Sequence, residues 1–266
     1  MTVDSKILNV KPSKPKLHYI PDVVYSQVPT FESPNVSLCM DILMPQVNRL
    51  MPAVIFVTGG AFIASNRARF PQLRFCLAEA GFVVASINYR TLPNSHFPQP
   101  IEDVKSAIRF LKANARRFGV DANQIAVIGD SAGGYLTAFA AVTNGAKLFN
   151  VGDNLEQSSE IFTAVDLYGV LDPNSVIGGF IPSGLKISAN PIDYITKNSA
   201  PMLLMHGTAD RIVSPKQTEI LFQALIDAGV EAELYLIPNA DHADDYWVQD
   251  PVFELIIDWI NWHVEK

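Results

Sequence analysis

One serine of this chain stands in a setting suited to covalent chemistry. Ser131 lies in the run Gly129-Asp130-Ser131-Ala132-Gly133, after the apolar residues 124–128 and before a helix-like stretch from Ala132 to Val142. A G-x-S-x-G sequence that joins a buried strand to a helix forms a sharp turn, the nucleophile elbow. The turn pushes the serine hydroxyl out at the end of the sheet and directs the next backbone N–H to the same place. The motif therefore predicts a serine nucleophile.

A serine hydroxyl needs a base within hydrogen-bond reach, and in this arrangement the chain order is serine, acid, histidine. His242 directly follows the last predicted strand, so its loop can reach the nucleophile. The other four histidines fit less well, because they precede the serine, end a strand as packed residues or lie in a final helical turn: His18, His96, His206 and His263. The sequence predicts His242 as the base.

The acid that orients the base is predicted at Asp210. It follows the strand at residues 202–205 and so lies at the same edge of the sheet. Asp172, after the preceding strand, is the main alternative, because some hydrolases of this fold carry the acid there. Asp241 adjoins the base, and the side chains of neighbouring residues usually diverge.

Attack on an ester carbonyl creates an oxyanion that needs preorganised N–H donors. Ala132 is one predicted donor, and the others are expected in the glycine-rich residues 58–62. Four aromatic residues beside these loops are candidates for the substrate pocket, with packing in the core as the alternative: Phe62, Tyr168, Tyr246 and Trp247. Asp244 and Asp245 would disfavour anionic substrates if they faced that pocket, and are otherwise solvated loop charges.

The elements that position these residues alternate between strand and helix. Continuous apolar runs such as residues 53–57 are typical of parallel strands covered on both faces, and short links between alternating elements indicate one doubly wound, mostly parallel α/β sheet. The predicted strands are 23–28, 36–44, 53–57, 82–88, 124–128, 163–168, 202–205 and 232–237, the first two antiparallel. The predicted helices are 70–80, 100–118, 132–142, 215–228 and 251–264.

The domain organisation follows from the same pattern. Residues 1–18 are expected to form an irregular arm, and residues 19–266 a single domain. Residues 171–199 carry no clear core element and lie near the carboxyl ends of two strands, where loops cover the crevice of such sheets. We expect them to form a small cap over an open site.

Composition excludes several classes of function. With 20 Lys and Arg against 27 Asp and Glu, and without a basic stripe, a nucleic-acid partner is not expected. No apolar run approaches the length of a membrane span, and the first residues lack the features of a secretion signal, so a cytoplasmic location is the simplest expectation. Cys39 and Cys76 are expected to be buried, reduced thiols. Pairing of two copies stays open, because such a surface leaves no sure mark in a sequence.

Several segments resemble the hormone-sensitive-lipase-like α/β-hydrolase esterases, including their small carboxylesterases and carbohydrate acyl esterases. The resemblance covers roughly residues 35–263 and rests on Thr58-Gly59-Gly60-Ala61-Phe62, Asn88-Tyr89-Arg90, Phe97-Pro98, Glu102-Asp103, Gly129-Asp130-Ser131-Ala132-Gly133-Gly134, His206-Gly207-Thr208-Ala209-Asp210 and Asp241-His242. It implies an α/β-hydrolase fold. It also implies a catalytic triad of Ser131, Asp210 and His242, with the N–H groups of Gly60, Ala61 and Ala132 forming the oxyanion hole.

Two departures from that family pattern concern the oxyanion loop. Thr58 stands where the family usually has histidine, and Ala61 where it has a third glycine. The family's histidine orients the loop and does not react, so the resemblance implies the same reaction class. The long N-terminal helical cap of the family is largely absent, which resembles the smaller members with open sites and short or exposed acyl substrates.

These observations predict a serine hydrolase that cleaves small-molecule carboxylic esters, with short-chain acyl or aryl esters preferred. The reaction would pass through an acyl-enzyme and require no metal and no organic cofactor. Two alternatives stay open: an amidase or peptidase of the prolyl-oligopeptidase type, and a non-catalytic ligand receptor on a hydrolase scaffold.

Overall fold

The computed structural model describes residues 5–266. Its strands are β1 (Leu17–Val28), β2 (Val36–Pro45), β3 (Met51–Val57), β4 (Val83–Ile87), β5 (Val120–Asp130), β6 (Thr163–Leu167), β7 (Met202–Gly207) and β8 (Ala232–Ile237). Its helices are α1 (Pro71–Glu79), α2 (Gln99–Ala113), α3 (Ala115–Phe118), α4 (Ala132–Val142), α5 (Pro215–Asp227) and α6 (Asp250–Val264).

The eight strands form one sheet in the order β1-β2-β4-β3-β5-β6-β7-β8. β2 pairs antiparallel with β1 and with β4, and all other neighbours are parallel. On β3, Ile55 lies opposite Ala85 on one side and Val127 on the other. The carboxyl ends of β3, β5, β6, β7 and β8 therefore meet at one edge, which is where the predicted site residues follow the strands.

Helices cover the sheet on both faces. On one face α2, α4 and α5 bury side chains such as Ile101, Leu136 and Leu225. On the other face α1 and α6 bury Leu77 and Trp259 against the same strands. The central strands have no face left for water, which explains their continuous apolar sequences. The predicted doubly wound, mostly parallel α/β fold is confirmed.

The first or last residues of some strands and helices differ from the prediction. β1 begins at Leu17, which pairs with Pro45, so the irregular arm ends at residue 16 within the described residues. Residues 1–4 of the predicted arm lie outside them. The predicted helix 100–118 is interrupted at Asn114. There the side-chain amide donates to the carbonyl of Phe110 at 2.9 Å, and an Asn side chain that bonds to nearby backbone competes with helix continuation.

Residues 171–199 connect β6 to β7 and contain two short 3₁₀ turns, Pro173–Ser175 and Pro191–Tyr194. Two buried aromatic residues hold the segment against the body of the protein. The ring of Phe180 stacks on Phe62 with 4.0 Å between centroids, and the hydroxyl of Tyr135 on α4 donates to the carbonyl of Ala189 at 2.7 Å. The segment is therefore docked on the α4 side of the sheet.

Both cysteines are free thiols, as expected for the reduced state. Cys39 and Cys76 are only partly buried, however, in contrast to the predicted full burial. Cys39 lies on β2, and Cys76 lies on α1. Within residues 5–266, no helix is long and apolar enough to cross a membrane.

Candidate active site

Ser131 occupies the turn between β5 and α4. Its backbone angles are φ 54° and ψ −117°, a conformation that costs free energy for any residue with a β-carbon. Two hydrogen bonds hold this backbone in place: the Ser131 N–H donates to the carbonyl of Leu167 at 2.9 Å, and the Val170 N–H donates to the Ser131 carbonyl at 3.3 Å. The end of β6 thus fixes the serine in the strained turn.

His242 lies in the loop after β8 and contacts both of its predicted partners. Its Nε2 is 2.9 Å from Oγ of Ser131, and its Nδ1 is 2.7 Å from Oδ2 of Asp210. The imidazole packs edge-to-face on the ring of Tyr168, 4.8 Å between centroids. Because a carboxylate accepts at Nδ1, that nitrogen carries the proton and Nε2 is free to accept one from the serine.

Asp210, in the loop after β7, has a fully buried carboxylate. Its Oδ1 accepts from the backbone N–H groups of Ile212 and Val213, at 2.9 and 2.8 Å. Its Oδ2 lies near two imidazoles, those of His242 and His206. Burial alone raises the pKa of this carboxyl, but the four hydrogen bonds outweigh burial and hold the pKa well below its usual value. Asp210 is therefore a fixed anion at neutral pH.

The two alternative acids have other roles. The carboxylate of Asp172 accepts from the N–H of Asn174 and caps a 3₁₀ turn. Asp241 accepts from the N–H of its neighbour His242 at 2.8 Å and forms an ion pair with Arg211. Among the described residues, the ring nitrogens of His242 bond to Asp210 and Ser131 and to neither of these carboxylates.

The loop after β3 lies directly against the nucleophile. The N–H of Gly59 donates to Oδ1 of Asp130 at 2.7 Å. A β-carbon on Gly59 would lie 2.6 Å from Oδ2 of Asp130 and 3.0 Å from the β-carbon of Ser131, so only glycine fits there. Across residues 5–266 the N–H groups of Gly60 and Ala61 have no hydrogen-bond acceptor. Ala132 opens α4, where the N–H also lacks an intrahelical partner.

Thr58 holds this loop by accepting two hydrogen bonds. Its hydroxyl accepts from the N–H of Asn66 at 3.2 Å, and its carbonyl accepts from the hydroxyl of the buried Tyr89 at 2.8 Å. Arg69 adds a third tie, because its Nη1 donates to the carbonyl of Gly59 at 3.2 Å. Thr58 thus supplies loop hydrogen bonds at the position where the resembled family has histidine.

Asp130, the last residue of β5 and directly before Ser131, has a fully buried carboxylate that faces the glycine loop. Its Oδ2 lies 3.5 Å from Nη2 of Arg69, an ion-pair contact too long for a hydrogen bond. Burial raises the pKa of Asp130, and the Arg69 charge and the Gly59 N–H counteract this only in part. Asp130 and Arg69 together connect the elbow to the glycine loop.

Three of the four predicted pocket aromatics are fully buried. Phe62 stacks on Phe180 and Tyr168 packs between the rings of His242 and Trp247, while Trp247 Nε1 donates to the carbonyl of Asp241 at 2.9 Å. These residues support the catalytic loops and expose no surface to a substrate in this conformation. Only Tyr246 is exposed, to 45%.

The two acidic residues that follow His242 in the loop, Asp244 and Asp245, differ in their contacts. The carboxylate of Asp244 accepts from the N–H groups of Asp241 and Tyr246, at 2.7 and 3.0 Å, and so holds the histidine loop in shape. Asp245 accepts no hydrogen bond with its side chain among the described residues and lies in the following 3₁₀ turn.

Sequence reasoning left three residues of the site without a role: Asp130, Arg69 and His206. Asp130 is part of the elbow motif, but the motif alone does not show that its carboxylate turns to Gly59. Arg69 lies ten residues beyond the loop that it binds, and no sequence pattern indicates the contact. His206 was predicted as a packed strand-end residue, and its spacing of four from Asp210 was the one available signal.

The arrangement can transfer a proton from the serine hydroxyl to the histidine and hold the resulting imidazolium on a carboxylate. Unpaired backbone N–H groups lie on two segments beside the serine and can stabilise a developing oxyanion. In the described part of the chain, no group of three or more His, Cys, Asp or Glu residues could hold a metal ion.

The chain is similar to one protein-family model and to proteins that are named as esterases. A family model described as BD-FAE matches residues 40–179 and 182–225. The esterase LipC of Mycobacterium tuberculosis is 31% identical over 214 residues, covering 73% of this chain and 53% of LipC. The isoprenylcysteine alpha-carbonyl methylesterase ICME of Arabidopsis thaliana is 27% identical, covering 80% of this chain and 55% of ICME.

Among solved structures, a truncated carbohydrate esterase from gut microbiota is similar along almost its whole length. Its TM-score is 0.83 at 27% identity, with 96% of this chain and 99% of the other chain covered. The present chain spans about half the length of the curated relatives that it matches.

Proposed function

We propose, since this chain belongs to the BD-FAE family of hormone-sensitive-lipase-like proteins, that it hydrolyses carboxylic esters through a serine nucleophile. The observation that carries the proposal is the continuous set of contacts from Ser131 Oγ to His242 Nε2 at 2.9 Å and from His242 Nδ1 to Asp210 Oδ2 at 2.7 Å. The esterase names of the relatives point to the same chemistry.

In the first half of the proposed reaction, Ser131 Oγ attacks the ester carbonyl carbon while His242 Nε2 takes the hydroxyl proton. The carbonyl oxygen becomes an oxyanion, which the N–H groups of Ala132, Gly60 and Ala61 would stabilise. The imidazolium of His242, held by Asp210, then protonates the departing alcohol. The product of this half is an acyl-enzyme on Ser131.

In the second half, His242 takes a proton from water as the water attacks the acyl carbon. The tetrahedral intermediate then collapses, the carboxylic acid leaves and Ser131 recovers its proton from His242. Each proton that His242 accepts is returned within the same half-reaction, so the cycle needs no metal and no organic cofactor.

For the substrate we propose short-chain acyl or aryl esters. A cleft of about 360 Å³ beside residues 171–199 is lined mainly by apolar side chains, among them Leu171, Ile181 and Ala189. Its first lining residue, Leu171, follows Val170, whose N–H donates to the carbonyl of Ser131, so the segment that lines the cleft starts beside the backbone of the serine. The volume is near the lower end of the range of about 300–1,000 Å³ for small-molecule sites, which supports a small substrate. The segment 171–199 would thus act as the proposed cap.

The test is hydrolysis of p-nitrophenyl acetate, butyrate, octanoate and laurate by the purified protein and by Ser131→Ala. Loss of the nucleophile in a serine hydrolase lowers kcat by about 10⁶-fold. Ser106→Ala is a matched control, because Ser106 is buried on α2 and its hydroxyl has no partner among the described residues. We expect activity on the short esters, unchanged in the control and abolished in Ser131→Ala. Equal activity in Ser131→Ala, or none on any ester, would contradict the proposal.

A further inference from the structure

A second imidazole, that of His206, also contacts the carboxylate of Asp210. His206 is the fifth residue of β7 and is fully buried. Its Nε2 lies 3.2 Å from Oδ2 of Asp210 and 3.0 Å from the carbonyl oxygen of Val213. Its Nδ1 lies 2.6 Å from the hydroxyl of Thr218, a buried residue on α5. Every polar atom of this ring therefore has a partner.

The partners determine where the proton of the ring lies. A carbonyl oxygen and an ionised carboxylate can only accept, so Nε2 of His206 must carry hydrogen. Among the groups around Nδ1, the hydroxyl of Thr218 can donate to it. The opposite tautomer would direct the Nε2 lone pair at two acceptor oxygens in a buried setting, which is unfavourable. The two acceptors at Nε2 thus fix the tautomer, and the Thr218 hydroxyl donates to the remaining nitrogen, Nδ1.

We propose that His206 and Thr218 are positioning residues of the catalytic centre. Thr218 binds Nδ1 of His206 and so holds the ring with its Nε2–H on Oδ2 of Asp210, the oxygen that also receives the Nδ1–H of His242. This inference rests on the proposed function of Asp210 and His242, and it extends the site by two residues that act through the carboxylate and do not touch the substrate.

The His206 contact should affect the base as well as the geometry. A carboxylate that loses one of its donors concentrates more negative charge toward the remaining one. Asp210 would then hold a charged His242 ring more strongly, and the free base needed for attack would form only at higher pH. The other carboxyls close to these residues are Asp166 on β6, beside His206, Asp130, beside His242, and Asp241, which accepts from the N–H of His242.

The first variant for the test is Thr218→Val, which keeps the shape of the side chain and removes the hydroxyl. Thr218→Ser restores the hydroxyl. Thr143→Val is the matched control, because Thr143 is also buried but its hydroxyl bonds to the carbonyl of Phe139 at the far end of α4. Two readouts are needed: the pH profile of kcat/KM on a short p-nitrophenyl ester, and the proton resonance between His242 and Asp210 in the unliganded protein.

For Thr218→Val we expect kcat to fall by about ten- to a hundredfold with little change in KM, the range for a small misplacement of a catalytic group. We also expect the acidic limb of the profile to move to higher pH and the His242–Asp210 proton resonance to move. Thr218→Ser should return all three towards the parent protein, and Thr143→Val should change none of them.

A lower melting temperature in Thr218→Val, with the acidic limb and the proton resonance unchanged, would reduce Thr218 to a packing role and overturn the inference. His206→Gln provides a second variant, because its side chain has no imidazole Nδ1 for Thr218 to hold. The effect of Thr218→Val should vanish in that background, and full additivity would contradict the argument that Thr218 acts through His206. If the parent protein hydrolyses no ester, the proposed function fails, while the resonance still decides whether Thr218 affects the Asp210–His242 contact.

Discussion

At the scale of single residues, the ion pair of Asp130 and Arg69 holds the glycine-rich loop of residues 58–62 in place. Asp130 holds the N–H of Gly59, and Arg69 holds the Gly59 carbonyl while facing the second oxygen of Asp130. Both peptide groups of Gly59 are therefore tied to charged side chains. In the proposed function, these ties direct the neighbouring N–H groups of Gly60 and Ala61 towards the oxyanion.

Arg69→Met should lower kcat by about tenfold and leave KM nearly unchanged, a smaller loss than the 10²–10³ of a deleted oxyanion donor. The donors remain in this variant, but the loop that carries them is less constrained. Steady-state kinetics on a short p-nitrophenyl ester measures the effect. Arg49→Met is the control, since Arg49 is an exposed arginine outside the site. An unchanged kcat in Arg69→Met would show that Asp130 alone fixes the loop.

The candidate site could be predicted in part at this scale. The types and order of Ser131, Asp210 and His242 identify the three side chains that the structure brings within hydrogen-bond distance. The buried supports could not be predicted, because their contacts depend on how loops fold. Trp247 illustrates this: an aromatic residue five positions after the base is compatible with a pocket wall, yet its indole N–H bonds to the backbone beneath the histidine loop.

At the scale of elements, the crossing of α4 over β3 requires a residue without a side chain. A β-carbon on Gly133 would lie 1.9 Å from the carbonyl oxygen of Val57, the last residue of β3. Real contacts never approach this distance, so the helix or the strand would have to move. Because Ser131 is two residues before Gly133, such a movement would also displace the nucleophile.

Gly133→Ala should therefore lower the free energy of unfolding by more than about 4 kcal/mol, the range of severe core disruptions. Gly178→Ala is the control: a β-carbon there meets no atom within 4 Å and its backbone needs no positive φ. It should change stability by no more than about 0.5 kcal/mol. Urea denaturation distinguishes the two, and a Gly133→Ala protein as stable as the parent would refute the close approach.

The elements themselves differ in how far sequence predicts them. Residues 53–57 of β3, 125–128 of β5 and 202–205 of β7 are continuous apolar runs that precede site residues, and both features are local. The start of β1 at Leu17 is not local, since it depends on pairing with Pro45 across 28 positions. The break at Asn114 depends on which hydrogen bond one amide side chain makes. Element boundaries that depend on a distant partner or on one side-chain hydrogen bond cannot be predicted from sequence patterns.

At the scale of the whole molecule, one buried acid links stability to pH. Asp166 on β6 is 2% exposed, and burial raises its pKa from 3.8 to about 7. Between these values the folded protein binds more protons than the unfolded chain. Stability from this group is therefore highest below pH 4, falls as pH rises towards 7 and is constant above it.

Asp166→Asn removes this titration while keeping nearly the same shape. The free energy of unfolding of the variant, relative to the parent, should rise between pH 4 and pH 7 by up to about 4 kcal/mol, at 1.36 kcal/mol per pH unit. Urea denaturation at several pH values measures the difference. Asp258→Asn, at an exposed position of α6, is the control. A difference independent of pH would show that Asp166 is ionised in the folded protein.

The connection between α4 and β6 separates Ser131 from Asp210 and His242 along the chain. Ser131 and the glycine loop belong to the part of the chain before residue 144, and Asp210 and His242 belong to the part after residue 162. The connection between them contains Gly152, whose surroundings are open. Under the proposed function, a cut there would separate the serine from its acid and its base, so neither fragment alone could cleave an ester. Ester cleavage would then report the association of two proteins, one fused to each fragment. The fold could therefore serve as the basis of a split reporter.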